Sequence, residues 1–337
     1  MAKTGVLLIN LGSPDGPDTT SVRRYLREFL CDARVIDIPP VPRYLLVWGY
    51  ISIFRSPKSA HAYQKIWTKQ GSPLVQAGYD LAKRVQEILG EAYHVRIAMR
   101  YQNPSIKNEV KALLDSGVDK VHVLPLYPQY ASASTASSVE ELMRVVAAEN
   151  TFPELKLIGD FYDHPGFIAS FAEVARKHLA NFNADHVLYS YHGLPERQMR
   201  ATDRTGNHCL KTQECCFKIT SVNRFCYRAQ CFATTFALQK AMGRTMEDSS
   251  LSFQSRLGRA TWIQPYTDQE LPILVKRGVK RLAVMCPAFV ADCLETLEEI
   301  QIRAAEDWKA LGGEALTLIP SLNTEESWCR TVAEMVR

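Results

Sequence analysis

One histidine in the sequence stands where general base chemistry is expected. His192 follows an apolar run that ends at Ser190, and it is followed by Gly193 and Pro195, which fix a turn. The imidazole is therefore expected at the carboxyl end of a strand. A group that changes charge near neutral pH is suited there to accept a proton from a bound ligand. A histidine that only packs against or caps an element is the alternative interpretation.

An acidic row follows another predicted strand, residues 281–286. Asp292, Glu295 and Glu299 share one face of the predicted helix that comes next. Like charges four residues apart repel each other, so the row needs a reason. The helix dipole supplies one for Asp292 alone. Carboxylate oxygens beside an imidazole also suit a hard or borderline divalent cation such as Fe²⁺, which they bind more loosely than thiolates would.

Cysteines form the third group. Of the nine in the chain, five fall within the 23 residues from 209 to 231. Four thiolates are what a [2Fe-2S] cluster or a structural zinc requires, and the absence of a CxxC pair favours the cluster. The expected ligands are Cys209, Cys216, Cys226 and Cys231, with Cys215 as the alternative to its neighbour. A set of free cysteines in a lid over the active site is the remaining interpretation.

Alternating strands and helices are expected to position these groups. Apolar runs of strand length occupy residues 5–10, 94–99, 120–126, 155–159, 186–190, 251–254, 281–286 and 315–319. Helical patterns lie between several of them, at residues 105–115, 167–181, 269–277 and 294–311. This alternation predicts an α/β protein with parallel sheets covered by helices, in which ligands bind beyond the carboxyl ends of the strands.

The domain organisation follows from length and composition. A chain of 337 residues exceeds the size at which single cores stop growing, which predicts two domains. We place them at residues 1–150 and 151–311, the second with a cysteine-rich insert at 207–231. Residues 312–337 are expected to pack back on the domains. Each half has a strand leading into a Pro-x-aromatic stretch, so either the chain holds a duplicated unit or two strand ends coincide.

Composition excludes several functional classes. A net charge of +4 without a run of Lys and Arg argues against nucleic-acid binding, and 46% hydrophobic residues argue against disorder. The loop 12–16 has neither a dinucleotide fingerprint nor a P-loop sequence. The apolar segment 44–54 is too short to span a bilayer but long enough for peripheral contact with a membrane. The N-terminus has no secretory signal, and the number of cysteines is odd. Both observations predict a cytoplasmic protein.

Together these motifs resemble those of the ferrochelatases, enzymes that insert Fe²⁺ into a porphyrin in haem synthesis. The resemblance extends from Thr4 to Asn323, and its most specific parts are SYHGLP at 190–195, QSRLGRATW at 254–262, PYTD at 265–268, YPQY at 127–130 and DCLETL at 292–297. It implies two Rossmann-like domains, each a parallel four-stranded sheet flanked by helices. The active site is then expected in the cleft between the domains, with a porphyrin as substrate. Protoporphyrin IX is favoured, and coproporphyrin stays open as the alternative.

The resemblance also implies roles for individual residues. The invariant histidine of the family falls on His192 and its metal-site glutamate on Glu295, with Asp292 and Glu299 on the path of protons or metal. The positions of the porphyrin pocket fall on Leu11, Arg100, Tyr101, Tyr127, Trp262 and Phe289.

Two departures from the family pattern affect these assignments. Some members carry a second histidine where this chain has Cys293, so a two-histidine metal site is in doubt here. Animal members bind [2Fe-2S] through a C-terminal extension, whereas some bacterial members use an internal cysteine group like residues 209–231. Two rival functions stay open: a chelatase that inserts cobalt into a corrin precursor, and a haem-binding or iron–sulfur sensor without catalysis.

Overall fold

The chain folds into two units, each built around its own sheet. The computed structural model describes residues 3–212, 214–256, 258 and 260–337. Unit 1 holds the chain up to Tyr127 together with Ser132–Gly159 and Cys329–Arg337, and unit 2 holds Pro128–Ala131 and Asp160–Trp328. Gln213 in the cysteine-rich insert, and Leu257 and Arg259 in the QSRLGRATW motif, lie outside the described residues.

Unit 1 is a parallel sheet covered by helices. Its strands are β1 (Thr4–Gly12), β2 (Tyr93–Tyr101), β3 (Lys120–Pro125) and β4 (Glu154–Leu157), in the order β2-β1-β3-β4. Its helices are α1 (Thr19–Cys31), α2 (Pro40–Tyr44), α3 (Ser52–Phe54), α4 (Ser56–Ile66), α5 (Pro73–Leu89), α6 (Ile106–Asp115) and α7 (Ser137–Val146). The stretch from Val6 to Ile9 is completely buried, as expected for a central strand with both faces covered.

Local sequence signals explain where the unit 1 helices begin. The Asp18 side chain accepts hydrogen bonds from the backbone N–H groups of Thr20 and Ser21 at the start of α1. Ser105 caps α6 in the same way. The apolar faces of α6 and α7 then pack on the sheet in one hydrophobic core, which includes Leu7, Ile9, Ala98, Val110, Leu113, Val123 and Leu142.

Unit 2 repeats this arrangement. Its strands are β5 (His186–His192), β6 (Ser249–Gln254), β7 (Arg281–Met285) and β8 (Ala315–Ile319), all parallel, in the order β6-β5-β7-β8. Its helices are α8 (Pro165–Leu179), α9 (Glu196–Thr202), α10 (Tyr227–Met242), α11 (Thr267–Lys276), α12 (Leu294–Thr296) and α13 (Ala305–Ala310). The last helix, α14 (Glu326–Met335), begins in unit 2 and belongs to unit 1 from Cys329 on.

The predicted fold class is confirmed, since every predicted strand overlaps an observed one and both sheets are parallel. The helix predicted over residues 294–311 is wrong in its interior. A π-helix, Leu297–Ala304, separates α12 from α13. Its i→i+5 hydrogen bonds widen the turn, and π segments of this kind are frequent at functional sites.

The apolar segment 44–54 is also helical. It comprises the end of α2, a π-helix at Leu45–Ile51, and α3. Among the described residues, no helix is both long enough and apolar enough to cross a bilayer.

Candidate active site

His192 is the last residue of β5, at the carboxyl end of the unit 2 sheet. Its Nδ1 lies 2.6 Å from the Gly193 carbonyl oxygen. Because a carbonyl oxygen can only accept, Nδ1 carries the hydrogen, and Nε2 of the neutral ring is left with the lone pair. The rings of Trp262 and Phe289 have their centroids 6.4 and 6.5 Å from that of His192. The acceptor nitrogen of the neutral imidazole is therefore Nε2, and two aromatic rings lie beside it.

Gly193 allows the chain to turn closely beside β6. Its N–H donates to the Gln254 carbonyl oxygen at 2.8 Å. A Cβ at this position would lie 2.9 Å from that oxygen and 3.2 Å from the Trp262 ring, so only glycine fits. Pro195 and Trp262 then pair as an isolated β-bridge, which fixes the aromatic ring near the end of β5.

Gln254, the register partner of His192 on β6, joins the strand ends to the acidic residues. Its Oε1 accepts a hydrogen bond from Ser190 Oγ at 2.7 Å, which fixes the orientation of the amide. Its Nε2 consequently points the other way and donates to the Glu295 carbonyl oxygen at 2.8 Å and to Glu299 Oε2 at 3.2 Å.

Glu299 is a carboxyl group in an enclosed site. Ser255, whose backbone has a left-handed φ of 65°, donates its hydroxyl hydrogen to Glu299 Oε2. Burial raises the pKa of Glu299, and the neighbouring Glu295 charge raises it further. The Ser255 hydrogen bond and the electrostatic influence of His192 and Arg303 act in the opposite direction without reversing the shift. Glu295, Glu299 and His192 are thus close enough to influence one another electrostatically.

Asp292 occupies a different set of contacts from the other two acids. Its Oδ1 accepts from Thr296 Oγ1 at 3.0 Å and from the Ser321 N–H at 3.2 Å, and its Oδ2 accepts from Asn323 Nδ2 at 2.8 Å. These bonds tie the start of α12 to the loop after β8. The predicted row is therefore divided, with Glu295 and Glu299 near His192 and Asp292 anchoring the helix. The place of Asp292 on the metal path stays a prediction.

Cys293 stands where some relatives have a second histidine, and its thiol faces Glu295. Burial raises the pKa of this thiol well above its ordinary value, and the charge of Glu295 and a hydrogen bond to it raise the pKa further. The thiol therefore holds its proton beside this carboxylate.

Two of the pocket positions predicted in unit 1, Arg100 and Tyr101, bind Asp32, which the sequence analysis did not identify. Arg100 Nη2 and the Tyr101 hydroxyl donate to Asp32 Oδ2 at 2.8 and 2.9 Å, and Ser137 Oγ donates to the same oxygen at 2.5 Å. Burial opposes ionisation of Asp32, but these hydrogen bonds and the Arg100 charge prevail and lower its pKa. No periodicity or motif marks Asp32; only its position directly after α1 distinguishes it.

The remaining unit 1 positions show less. The Tyr127 hydroxyl lies 3.1 Å from Ser138 Oγ, and burial raises the pKa of Tyr127. Leu11, near the end of β1, is half-buried.

Four of the five clustered cysteines come together. Cys209, Cys215, Cys216 and Cys226 line one small cavity, and the Sγ atoms of Cys215 and Cys216 are 3.6 Å apart. A hydrogen bond from Cys226 lowers the pKa of Cys209, and the same bond raises the pKa of Cys226 to about 11. Cys231 lies within α10 and does not line the cavity.

This grouping does not amount to a formed metal site. Within the described part of the chain, no three His, Cys, Asp or Glu side chains are arranged to hold a metal ion. A larger cavity of about 550 Å³ lies beside α8 and includes Ser321 and Asn323, the residues that hold Asp292. His192, Glu295 and Glu299 are not among its lining residues.

Comparison with known proteins identifies the family. Residues 3–337 match the family described as Ferrochelatase. The chain is 47% identical over 335 residues to the ferrochelatase of Coxiella burnetii (strain Dugway 5J108-111), an alignment that covers 99% of this chain and 93% of the relative. It is 44% identical over 335 residues to that of Legionella pneumophila (strain Lens), with 99% and 98% covered. The chain belongs to the ferrochelatase family. Its reaction is the insertion of Fe²⁺ into a porphyrin to form haem.

A solved structure supports the ferrochelatase fold independently of sequence. The structure described as SirB from Bacillus subtilis with Fe3+ superimposes with a TM-score of 0.57 at 11% identity, covering 99% of this chain and 96% of that one. At this identity the likeness concerns the fold alone. The rival function of a sensor without catalysis loses its main support, because the ferrochelatase match covers nearly the whole chain.

Proposed function

We propose that His192, Glu295 and Glu299 carry out metal insertion in this ferrochelatase. The porphyrin loses two pyrrole hydrogens as protons when Fe²⁺ takes their place, so the reaction needs an acceptor for protons and oxygen ligands for the incoming ion. The observation that carries the proposal is the Gln254 amide, which holds the Glu299 carboxylate and the Glu295 backbone beside the strand that ends at His192.

Each residue then has a separate task. Nε2 of His192 accepts a pyrrole proton, because Nδ1 already donates to Gly193. Glu299, whose pKa is raised by burial, receives protons from the imidazole and releases them to solvent. Glu295 supplies carboxylate oxygen to the ferrous ion.

The porphyrin pocket is proposed to include Trp262 and Phe289, which flank the imidazole within unit 2. In unit 1 it includes Leu11, Tyr101 and Tyr127. Arg100 donates from Nε to the Ser137 carbonyl oxygen and from Nη2 to Asp32, which also accepts from the Tyr101 hydroxyl. We therefore assign Arg100 the task of holding Tyr101 in place and not that of binding a ring carboxylate. Protoporphyrin IX is the proposed substrate, and coproporphyrin is the competitor to test against it.

His192→Ala tests the assignment of the base. Zinc insertion, followed by porphyrin fluorescence, is expected to slow by about 100-fold or more, because general base catalysis contributes a factor of this size. Porphyrin binding, measured by quenching of tryptophan fluorescence, should change less than about twofold. The matched control is His178→Ala, which removes a half-buried imidazole of α8 that is hydrogen-bonded to Thr317 on β8. Wild-type turnover in His192→Ala would show that another group takes the protons.

We further propose that the cysteine-rich insert holds a [2Fe-2S] cluster. Cys209, Cys216 and Cys226 are the proposed ligands, with the fourth supplied by Cys231 or Cys215. The donor set fits, since three of these thiols and Cys215 already line one cavity and the pKa of Cys209 is lowered. When bound, such a cluster cross-links the insert, and insertion of a divalent ion transfers no electrons that would require redox chemistry.

The cluster is tested by absorption spectroscopy of protein purified without oxygen. We expect visible bands of an iron–sulfur centre in the wild type and their loss in Cys226→Ser. Of Cys215→Ser and Cys231→Ser, only the variant that removes the true fourth ligand should lose the bands. Cys329→Ser, a buried cysteine of unit 1, is the control and should retain them. A colourless wild-type protein that contains zinc would show that the insert binds zinc and not a [2Fe-2S] cluster.

The segment 44–54 is proposed to contact a membrane surface from the cytoplasmic side. It exposes aromatic and aliphatic side chains: Tyr44, Leu45, Leu46, Trp48, Tyr50, Ile53 and Phe54. Basic residues flank them at Arg55 and Lys58, as is common where a helix lies in a lipid interface. None of the described cysteines is paired in a disulfide, which fits a reducing compartment.

A further inference from the structure

Helix α10 links the cysteine-rich insert to the main chain of His192. The helix begins at Tyr227, directly after Cys226. The Tyr227 side chain is buried, and its hydroxyl donates to the His192 carbonyl oxygen at 2.9 Å. The same hydroxyl is hydrogen-bonded to the thiol of Cys231, one turn further along the helix. A continuous set of contacts therefore runs from the insert to the proposed base.

This contact fixes the part of His192 that β6 leaves free. Pairing with β6 and the Gly193 N–H bond to Gln254 hold the strand end from one side, and Tyr227 holds the His192 carbonyl oxygen from another. The direction of the imidazole follows from the main chain that carries it. A shift of about 1 Å in a catalytic group reduces rates by as much as about 100-fold, so a small movement of this peptide matters.

Tyr227 is well suited to transmit such a movement. Its aromatic ring is rigid and enclosed, so displacement of its backbone displaces the hydroxyl with little lost in side-chain rotation. Its backbone follows Cys226, whose thiol is hydrogen-bonded to those of Cys209 and Cys216. The first residue of α10 is thus joined by one peptide bond to a cysteine that is hydrogen-bonded to the others.

We propose that Tyr227 is a positioning residue for His192 and couples the state of the cysteine-rich insert to the rate of metal insertion. The proposal rests on the proposed role of His192 as the base. It does not depend on which metal the cysteines bind, because the contacts are made by the chain itself.

The first test compares two buried tyrosines. Tyr227→Phe keeps the ring and removes the hydroxyl; Tyr189→Phe, on the same strand as His192, removes a hydroxyl whose partner is the Met242 thioether. We expect Tyr227→Phe to lower kcat for zinc insertion by about five- to tenfold with KM for the porphyrin nearly unchanged, since a misplaced base affects the chemical step. Tyr189→Phe should keep the wild-type kcat, although both variants lose some thermal stability.

The second test asks whether the coupling passes through Tyr227. Cys216→Ser changes the insert at a cysteine whose thiol is hydrogen-bonded to that of Cys226. In the wild-type background it should lower kcat and increase hydrogen–deuterium exchange of the peptide that covers residues 186–194. In the Tyr227→Phe background the same substitution should leave both quantities almost unchanged, because the connection is already broken.

The outcomes separate this inference from the proposed function. Full activity in His192→Ala would overturn the assignment of the base. If His192→Ala is inactive but Tyr227→Phe keeps the wild-type kcat, the positioning role alone is overturned. Additive effects of Cys216→Ser and Tyr227→Phe on kcat and on exchange, or no effect of Cys216→Ser in the wild type, would overturn the coupling.

Discussion

At the scale of single residues, Glu299 shows how the site handles charge. The sequence places three carboxylates on one face, and simple repulsion would leave each exposed to water. The fold instead encloses Glu299 between Ser255 and the Gln254 amide, and burial together with the Glu295 charge raises its pKa. A carboxyl group in this state can hold and release a proton nearer to neutral pH than an ordinary glutamate.

A raised pKa in the folded state makes stability depend on pH. The folded chain binds the Glu299 proton more tightly than the unfolded chain, so this stabilisation is present at low pH and is lost as the pH rises through the folded pKa. Glu299→Gln should abolish that loss. The difference in melting temperature between this variant and the wild type should therefore increase in favour of the variant as the pH rises above about 4.5, the ordinary pKa of glutamate. Scanning calorimetry across the pH range measures this difference.

Ser255→Ala provides the opposite change. Its hydroxyl lowers the pKa of Glu299, so its removal should extend the pH-dependent loss of stability to higher pH. Equal pH slopes in the wild type and Glu299→Gln would show that Glu299 does not titrate in the folded chain.

The sequence allowed the chemically active residues of the site to be identified, but not the residues that form hydrogen bonds with them. His192, Glu295 and Glu299 carry chemical signals in their own identity and spacing, and the structure brings them together. Asp32 and Asn323 carry none, because a single polar side chain in a loop acquires its partner only through contacts distant in the chain. Asp292 looked like the other two acids because spacing does not show which neighbours a carboxylate meets.

At the scale of elements, the ends of β5 and β6 determine the site. His192 and Gln254 are opposite each other in register, and the turn after His192 lies close beside β6 at Gly193. Any side chain at this position has to separate the strand end from the Trp262 ring. The geometry of the base therefore depends on the packing of two strands as well as on the histidine.

Gly193→Ala tests the close approach. The added methyl group would meet the Gln254 carbonyl oxygen at 2.9 Å, so we expect a loss of about 1–3 kcal/mol in the free energy of unfolding, the usual cost of overpacking. Metal insertion should also slow, because His192 and Gln254 move apart. Urea titration gives the stability, and Gly159→Ala is the control, since its Cβ would meet nothing within 4 Å. A variant as stable as the wild type would mean that the turn relaxes without strain.

Regular elements were predictable and the π-helices were not. Buried parallel strands appear as continuous apolar runs, which is why the strands could be located to within a few residues. The helix over 294–311 was predicted as regular because its pattern fits an α-helical period, whereas Leu297–Ala304 is a π-helix. Ser255 makes a tertiary contact with this segment at Glu299, and within the segment Glu298 pairs with Arg303 five residues further on.

At the scale of the whole molecule, the segment 44–54 exposes a group of neighbouring apolar side chains. Leu45, Tyr50 and Phe54 are 70%, 63% and 62% exposed, in a protein whose reactant is itself a large apolar ring. Contiguous exposure of this kind marks a surface that meets a partner or a lipid interface. The proposal of membrane contact assigns it to the second.

Vesicle sedimentation tests the membrane proposal. The triple variant Leu45→Ser, Tyr50→Ser, Phe54→Ser should bind anionic phospholipid vesicles at least about tenfold more weakly than the wild type, since each buried apolar side chain contributes about 1.5–3 kcal/mol at most. Ile273→Ser, at an exposed apolar side chain of α11, serves as the control and should bind like the wild type. Undiminished binding of the triple variant would place the lipid contact elsewhere.

The grouping of residues 329–337 with unit 1 sets an order of events during synthesis. Val332 and Val336 are fully buried, and the Val336 carbonyl oxygen lies 2.7 Å from Nδ1 of His122 on β3. The segment that completes the first unit is thus translated after every residue of the second. A nascent chain must keep the earlier unit unfinished, and its apolar surface shielded, until Val336 has left the ribosome.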